Sequence, residues 1–256
     1  GTLDPMATGL LPLTFGEATK FSADLLNADK SYRATLQLGV TTRTGDADGD
    51  VIDRCDAAVS SAQLDATLSR FIGTVAQVPP MHSALKRDGQ PLYKLAREGT
   101  EVERAPRQIT VHQMTLVERC GDAVVVDVDC SKGTYVRVLA EDIGRALGCG
   151  AHLTALRRTR AGRLSVDDAV TLSALEAMSL ELRRMRLLPA DELLASLATV
   201  RLDDVLAERF RQGQRLALDA EPRCERVRVY AGTNELLGTA TISEWGVVEP
   251  ERLISN

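Results

Sequence analysis

The sequence predicts an α+β fold with a small C-terminal β module, and three observations carry that prediction. Residues 30–40 alternate, with Tyr32, Ala34, Leu36 and Leu38 on one face and Arg33, Thr35 and Gln37 on the other. Residues 109–117 and 123–130 are two further strands around a Cys120-Gly121-Asp122 turn, and the second alternates Val124, Val126, Val128 and Cys130 against Asp127 and Asp129. Around these strands run apolar stripes of helical period, at Ala18, Phe21 and Leu25, at Leu64, Leu68, Phe71 and Ile72, and at Val136, Leu139, Ile143 and Leu147.

In order, residues 16–27 read as one helix, stopped by the polar Asn27-Ala28-Asp29. After the strand at 30–40, Asp46-Ala47-Asp48-Gly49-Asp50 is a turn by composition. Its acidic spacing is similar to a calcium loop, but Val51 stands where such a loop needs glycine. Residues 60–72 form a helix that Ser60 or Ser61 caps. Residues 79–86 read as extended and 90–98 as a short helix carrying Tyr93 and Arg97. After the second strand pair, Gly133 lets the backbone turn into a helix, Thr134 caps it, and Gly148 or Gly150 ends it. Residues 155–160 lie in or beside another strand, and 172–183 read as a helix. The pattern resets at Pro189-Ala190-Asp191. A short helix at 203–212 follows, then strands at 227–230, 236–242 and 247–253, punctuated by Gly232, Gly238 and Gly246. The chain is therefore expected to divide into 1–190 and a β-rich module at 191–256.

At 256 residues there is room for one large domain or a medium domain with a companion. No apolar run approaches a membrane span and no signal peptide is visible. The chain opens inside a motif rather than on Met, so residues are expected upstream. The five cysteines form no C-x-x-C pair, which predicts a reduced, cytoplasmic protein with buried thiols and no zinc site. The three histidines share no metal-binding spacing, and no metal or cofactor is expected. The net charge of -5 does not advertise nucleic-acid binding. Positive charge is nevertheless gathered locally, in Lys86, Arg87, Lys94, Arg97, Arg104 and Arg107, and again in Lys132, Arg137, Arg145, Arg157, Arg158, Arg160 and Arg163. Composition alone leaves these either a solvated surface or a grip on an anion.

The opening string is the most specific stretch: Gly1-Thr2-Leu3-Asp4-Pro5-Met6-Ala7-Thr8-Gly9-Leu10-Leu11-Pro12. Pro5 pushes the backbone of Asp4 extended, and the small residues Ala7, Thr8 and Gly9 let a ligand approach closely. An Asp-Pro pair alone is an ordinary turn. The whole string resembles the catalytic loop of the TruB family of tRNA pseudouridine synthases. Further stretches match that family in order: Glu17-Ala18-Thr19-Lys20, Lys30-Ser31-Tyr32-Arg33, Met81-His82-Ser83-Ala84-Leu85-Lys86, Ser131-Lys132-Gly133-Thr134-Tyr135-Val136-Arg137, and Cys149-Gly150-Ala151-His152-Leu153-Thr154-Ala155-Leu156-Arg157-Arg158. The resemblance implies the pseudouridine synthase fold, a mixed, largely antiparallel sheet flanked by helices, with a PUA-like RNA-binding module at the C-terminus. The family's Gly-His pair, Lys-Pro-x-Gly motif and first strand would lie upstream of Gly1.

The implied chemistry isomerises uridine to pseudouridine at position 55 of the tRNA T-loop, with the T-arm stem-loop as partner and a monomer as the working form. Asp4 is the implied nucleophile, at ribose C1′ or uracil C6, and the sequence does not choose between them. Arg137 favours its ionised form. Tyr32 stacks on the base, and Tyr135 and Leu156 complete the pocket. Lys20, Lys86, Arg97, Lys132, Arg157 and Arg158 are the candidates for the RNA backbone. Two other readings use the same residues. One is a non-catalytic RNA-binding protein on the same fold. The other is a glycoside hydrolase pairing Asp4 with Asp46 or Asp48.

Overall fold

The computed structural model describes residues 3–87 and 89–255. Gly1 and Thr2 of the opening string lie outside the described residues. The chain forms two compact units. The residues through Leu11 join Ala28–Ala169, and Pro12–Asn27 joins the chain from Val170 onward. This division does not follow the 190/191 boundary read from the reset at Pro189.

The first unit contains strands β1 (Thr8–Gly9), β2 (Lys30–Leu38), β3 (Val40–Thr42), β4 (Val51–Arg54), β5 (Gly73–Gln77), β6 (Lys86–Arg87), β7 (Gln90–Pro91), β8 (Arg107–Cys120), β9 (Ala123–Cys130), β10 (Ala151–Ala161) and β11 (Leu164–Ser165). The main sheet runs β1-β10-β2-β9-β8-β5, with β11 on β10. It is antiparallel throughout except for β1, which lies parallel to β10. The sheet is therefore mixed and largely antiparallel, as the fold class requires. β3–β4 and β6–β7 are separate ribbons.

The alternation at 30–38 produces the expected result. Ala34, Leu36 and Leu38 are buried and face Val126 and Val124 across the β2–β9 ladder. Each leucine and valine among them contributes roughly 1.5–3 kcal/mol by leaving water. Two helices close that face. α2 (Ser61–Arg70) starts at a capping box of Ser60 and Gln63 and buries Leu64 and Leu68. α4 (Val136–Leu147) buries Val136, Leu139 and Ile143, and ends on Gly148 in the left-handed conformation. Gly144 of α4 lies so close to β10 that a Cβ would sit 2.2 Å from the Ala151 nitrogen. The short α3 (Leu92–Arg97) follows the β6–β7 ribbon.

Some expectations are corrected here. β10 begins at Ala151, not 155, because Ala151, His152 and Leu153 are all buried and so show no alternation. β8 extends past both expected ends, and its register shifts at 111/113 and 116/118 break the period. β5 was not anticipated; it is a short edge strand with one buried residue, Gln77. Cys130 and Cys149 are buried, but Cys55, Cys120 and Cys224 are exposed.

In the second unit, β12 (Ala198–Leu202), β13 (Leu216–Ala217), β14 (Arg226–Ala231), β15 (Glu235–Ile242) and β16 (Val247–Leu253) form a curled sheet in the order β12-β14-β15-β16-β13. Its core of Val200, Phe210, Leu216, Val229, Ile242 and Val248 includes α7 (Asp204–Arg211), which Asp203 caps. This is the PUA-like module. The expected helix at 16–27 is a 3-10 turn, Gly16–Phe21, leading into α1 (Ser22–Asn27). The expected helix at 172–183 is broken into α5 (Leu172–Ala177) and α6 (Leu180–Met185), because the Ser179 hydroxyl accepts from the Leu182 N–H and starts a new helix. Arg226 of the sheet pairs with Asp24, Lys20 Nζ donates to the Leu253 carbonyl at 2.9 Å, and the Tyr230 hydroxyl donates to Asp191 at 2.6 Å. These bonds attach the early segment and the 190–194 turn to the curled sheet. No helix among the described residues is long and apolar enough to cross a membrane.

Candidate active site

Asp4 sits at a tight turn, where the Ala7 N–H donates to its carbonyl at 2.8 Å. The chain then runs beside β10, with Thr8 opposite Arg157 and Gly9 opposite Arg158. Gly9 has φ +93°, and a Cβ there would lie 2.3 Å from the Arg158 carbonyl oxygen. Only glycine allows the loop this approach. The loop's position thus follows from the Ala-Thr-Gly triplet noted in the sequence.

Arg137 is placed by the first turn of α4 and is 5% exposed. Tyr135 precedes it and does not cap the helix with its side chain. Gln77 holds it by its backbone instead: the Tyr135 N–H donates to Gln77 Oε1 at 2.8 Å, and Gln77 Nε2 donates to the Tyr135 carbonyl at 3.1 Å. Arg137 then uses its whole guanidinium. Nε donates to Asp4 Oδ2 at 2.8 Å. Nη1 donates to the Thr44 carbonyl at 3.2 Å and lies 3.3 Å from Asp46 Oδ2. Nη2 donates to the His82 carbonyl at 2.8 Å. A planar fork with fixed donors holds this arrangement; a lysine would not. Burial, with Arg137 next, lowers the pKa of the His82 side chain below its ordinary value.

Asp4 and Arg137 are therefore brought together across a separation of 133 residues. Tyr32 on β2 is half-buried, and burial is the largest cause raising its phenol above the usual range, with Cys130 next. The same phenol feels Asp4 and Arg158, so it stands within electrostatic reach of the loop. Leu156 on β10 is buried, and its carbonyl accepts from the Thr8 hydroxyl at 3.4 Å. The cavity of about 430 Å³ between Arg87, Leu95 and Glu103 does not include Asp4, so ion pairs and sheet register locate the site.

The RNA-backbone candidates separate. Lys86, Arg97, Lys132 and Arg157 are exposed, and Arg97 lies 5.6 Å from the centre of the Tyr93 ring. Lys20 belongs to the second unit, where it pairs with Glu17. Arg158 is only 3% exposed, and its Nε donates to the Leu10 carbonyl at 2.8 Å. As it stands, it serves the loop and presents nothing to solvent.

Sequence reasoning missed two site residues. From the sequence Asp46 belongs to a turn or serves as the partner carboxylate of a glycosidase. It is buried at 5% exposure, held by the Thr44 hydroxyl and the Asp48 N–H, and shares Arg137 with Asp4. A carboxylate so enclosed does not face a sugar across an open cleft. Gln77 carried no signal, since a lone glutamine after a weak strand looks like surface. The Gly45-Asp46 pair in the turn after the strand at 30–40 is the one sequence feature that could have marked Asp46.

An opening-loop aspartate held by an arginine from a Lys-Gly-Thr-Tyr-x-Arg turn is the arrangement that the family resemblance requires. The model of the TruB family pseudouridylate synthase N-terminal domain matches residues 1–136. The chain belongs to the TruB family of pseudouridylate synthases. It is by that membership an enzyme, an isomerase. The tRNA pseudouridylate synthase B C-terminal domain model matches residues 137–219, and the Pseudouridine synthase II TruB C-terminal model matches 198–254. TruB relatives include a tRNA pseudouridine synthase B of Burkholderia mallei, 57% identical over 99% of this chain and 86% of its own length. One of Ralstonia nicotianae is 54% identical over 99% of this chain and 83% of its own length. Among solved structures, a Cbf5-Nop10-Gar1 complex matches with TM-score 0.75 and 25% identity, over 99% of this chain and 74% of that one. An H/ACA RNP bound to a substrate RNA containing 2′-deoxyuridine matches with TM-score 0.75 at 24% identity, over 100% of this chain and 75% of that one, and shares the fold.

Proposed function

We propose that this chain isomerises uridine to pseudouridine at position 55 in the T-loop of tRNA, with Asp4 as nucleophile. The observation that carries the reading is the Asp4–Arg137 pair, which joins the opening loop to α4 at 2.8 Å. The N1–C1′ bond breaks, the uracil turns, C5 bonds to C1′ and loses its proton, and N1 gains a proton in exchange, directly or through solvent, so the formula is unchanged. Asp4 attacks C1′ or C6. A carboxylate with 34% of its side chain exposed is reachable by a ribose or base, whereas Asp46 at 8% is not.

The base must leave its stack, which costs a few kcal/mol. Stacking on Tyr32 returns about 1–3 kcal/mol, and Tyr135 and Leu156 form the remaining walls. Lys86, Arg97, Lys132 and Arg157 meet the phosphates of the T-arm, and Lys20 is a further candidate for a phosphate contact. Residues 1–190 serve as the catalytic domain and 191–256 as the PUA-like RNA-binding domain. The chain acts as a monomer, in the cytoplasm, with no cofactor.

The test is Asp4→Asn assayed with a T-arm RNA by tritium release from C5 and by carbodiimide mapping. The expected result is no release above background with RNA binding retained. Full activity in the variant would remove the mechanism.

A further inference from the structure

Arg158 is a buried cation that the reading above leaves without a task. It is fastened to one residue of the Asp4 loop twice over. The Leu10 N–H donates to the Arg158 carbonyl at 2.8 Å, and Arg158 Nε donates back to the Leu10 carbonyl at 2.8 Å. Gly9 lies opposite it in the parallel β1–β10 register. Across β10's other edge its cross-strand partner is Tyr32 of β2. One residue therefore binds the loop that carries Asp4 through its side chain and pairs through its backbone with the strand that carries Tyr32.

Charge makes the position costly. Among the described residues Arg158 makes no ion pair, and its Nη2 is buried with no hydrogen-bond partner. A buried, half-satisfied guanidinium is destabilising unless something offsets it. Two neighbouring groups feel its charge, Lys30 and Tyr32. Burial, and after it Arg158, holds Lys30 below its ordinary value. At Tyr32, where burial dominates, Arg158 acts in the opposite direction to Cys130 and Asp4 and favours the ionised phenol. The phenol is thus close enough to feel the guanidinium, while Nη2 makes no hydrogen bond of ordinary length. Arg157, the next residue, points outward and is free to meet a phosphate; Arg158 is not.

We propose that Arg158 is a positioning residue: it sets the spacing between the Asp4 loop and the Tyr32 ring, and its Nη2 takes the Tyr32 hydroxyl as acceptor when a base stacks. The inference rests on the reading that Asp4 and Tyr32 form the base pocket. It replaces the expectation that Arg158 grips the RNA backbone.

The experiment is a double-mutant cycle of Arg158→Lys and Tyr32→Phe, in single-turnover tritium release and in T-arm RNA binding at several salt concentrations. Arg158→Lys keeps the charge and loses the fork. The expected result is a fall of about tenfold or more in turnover, with RNA affinity and its salt slope unchanged. Tyr32→Phe should then cost less in the Arg158→Lys background than in the wild type, because both remove the same contact. Arg158→Gln, which keeps a donor for the Leu10 carbonyl, repeats the cycle if the lysine variant does not fold. Unchanged turnover, additive effects, or a loss confined to affinity with a shallower salt slope would each overturn the proposal. Asp4→Asn runs in the same assay. Activity in that variant would sink the catalytic reading itself, whereas an inactive Asp4→Asn beside a fully active Arg158→Lys would sink this inference alone.

Discussion

Arginines behave differently in the two compact units. In the first, Arg137 and Arg158 are 5% and 3% exposed and donate to backbone carbonyls of Thr44, His82 and Leu10, and Arg137 also holds the carboxylates of Asp4 and Asp46. In the second, Arg211 and Arg223 lie at the surface and pair with Glu208, Glu235, Asp219 and Glu221. Exposed pairs are screened and add little, so the second unit is held by its apolar core. Buried guanidiniums stabilise little in net terms, but they fix geometry, because moving one leaves a charge without a partner. Local arginine content in the sequence does not distinguish these two uses.

The largest effect should come from Arg137→Met. It leaves Asp46 buried and unpaired and removes the grip on Asp4, so turnover should vanish and urea unfolding should report a loss of about 3–5 kcal/mol. A stability change below the error of the melt would break the contrast between the units.

Next is Asp46→Asn, which keeps the shape and removes a charge. A charge-assisted hydrogen bond is worth about 1.5–3 kcal/mol, so kcat/KM should fall about tenfold to a hundredfold while circular dichroism stays unchanged. If activity is retained, Asp46 is only a loop anchor.

Gly9→Ala forces a left-handed φ and a Cβ onto the Arg158 carbonyl. It should cost about 1–3 kcal/mol and lower turnover through the displaced loop. A stability curve identical to wild type would mean that the loop's approach to β10 is not constrained.

Glu141 sharpens the comparison through pH. Burial first, and Asp142 after it, raise its carboxyl above the ordinary 4.5. The folded state keeps the proton to higher pH than the unfolded chain does. This contribution to stability is therefore full below the unfolded value and declines as pH rises through the folded one. Glu141→Gln should raise the melting temperature at pH 7 and flatten its change between acid and neutral pH. A lower melting temperature at pH 7 would mean that the ionised group is held by a partner.

The smallest effect belongs to the second unit. Arg223→Gln should leave the melting temperature unchanged at physiological salt, and a clear drop would show that its surface pairs are more than solvated contacts.

The sequence by itself determined the strands whose two faces differ, the hairpin at 120–122, the helix stripe behind Val136, and the opening loop with its aspartate. Each of these is set by neighbours a few residues away, through alternation, helical period or turn chemistry. It also identified the family, because its motifs occur in order along the chain. Tertiary structure alone decided that Asp46 shares Arg137 with Asp4, that Gln77 clamps Tyr135, and that Arg158 is interior while Arg157 is not. It alone assigned residues 12–27 to the second unit. The physical reason is distance along the chain. Burial and ion pairing depend on which strands become neighbours, and β10 lies beside both β1 and β2 although more than a hundred residues separate them in sequence.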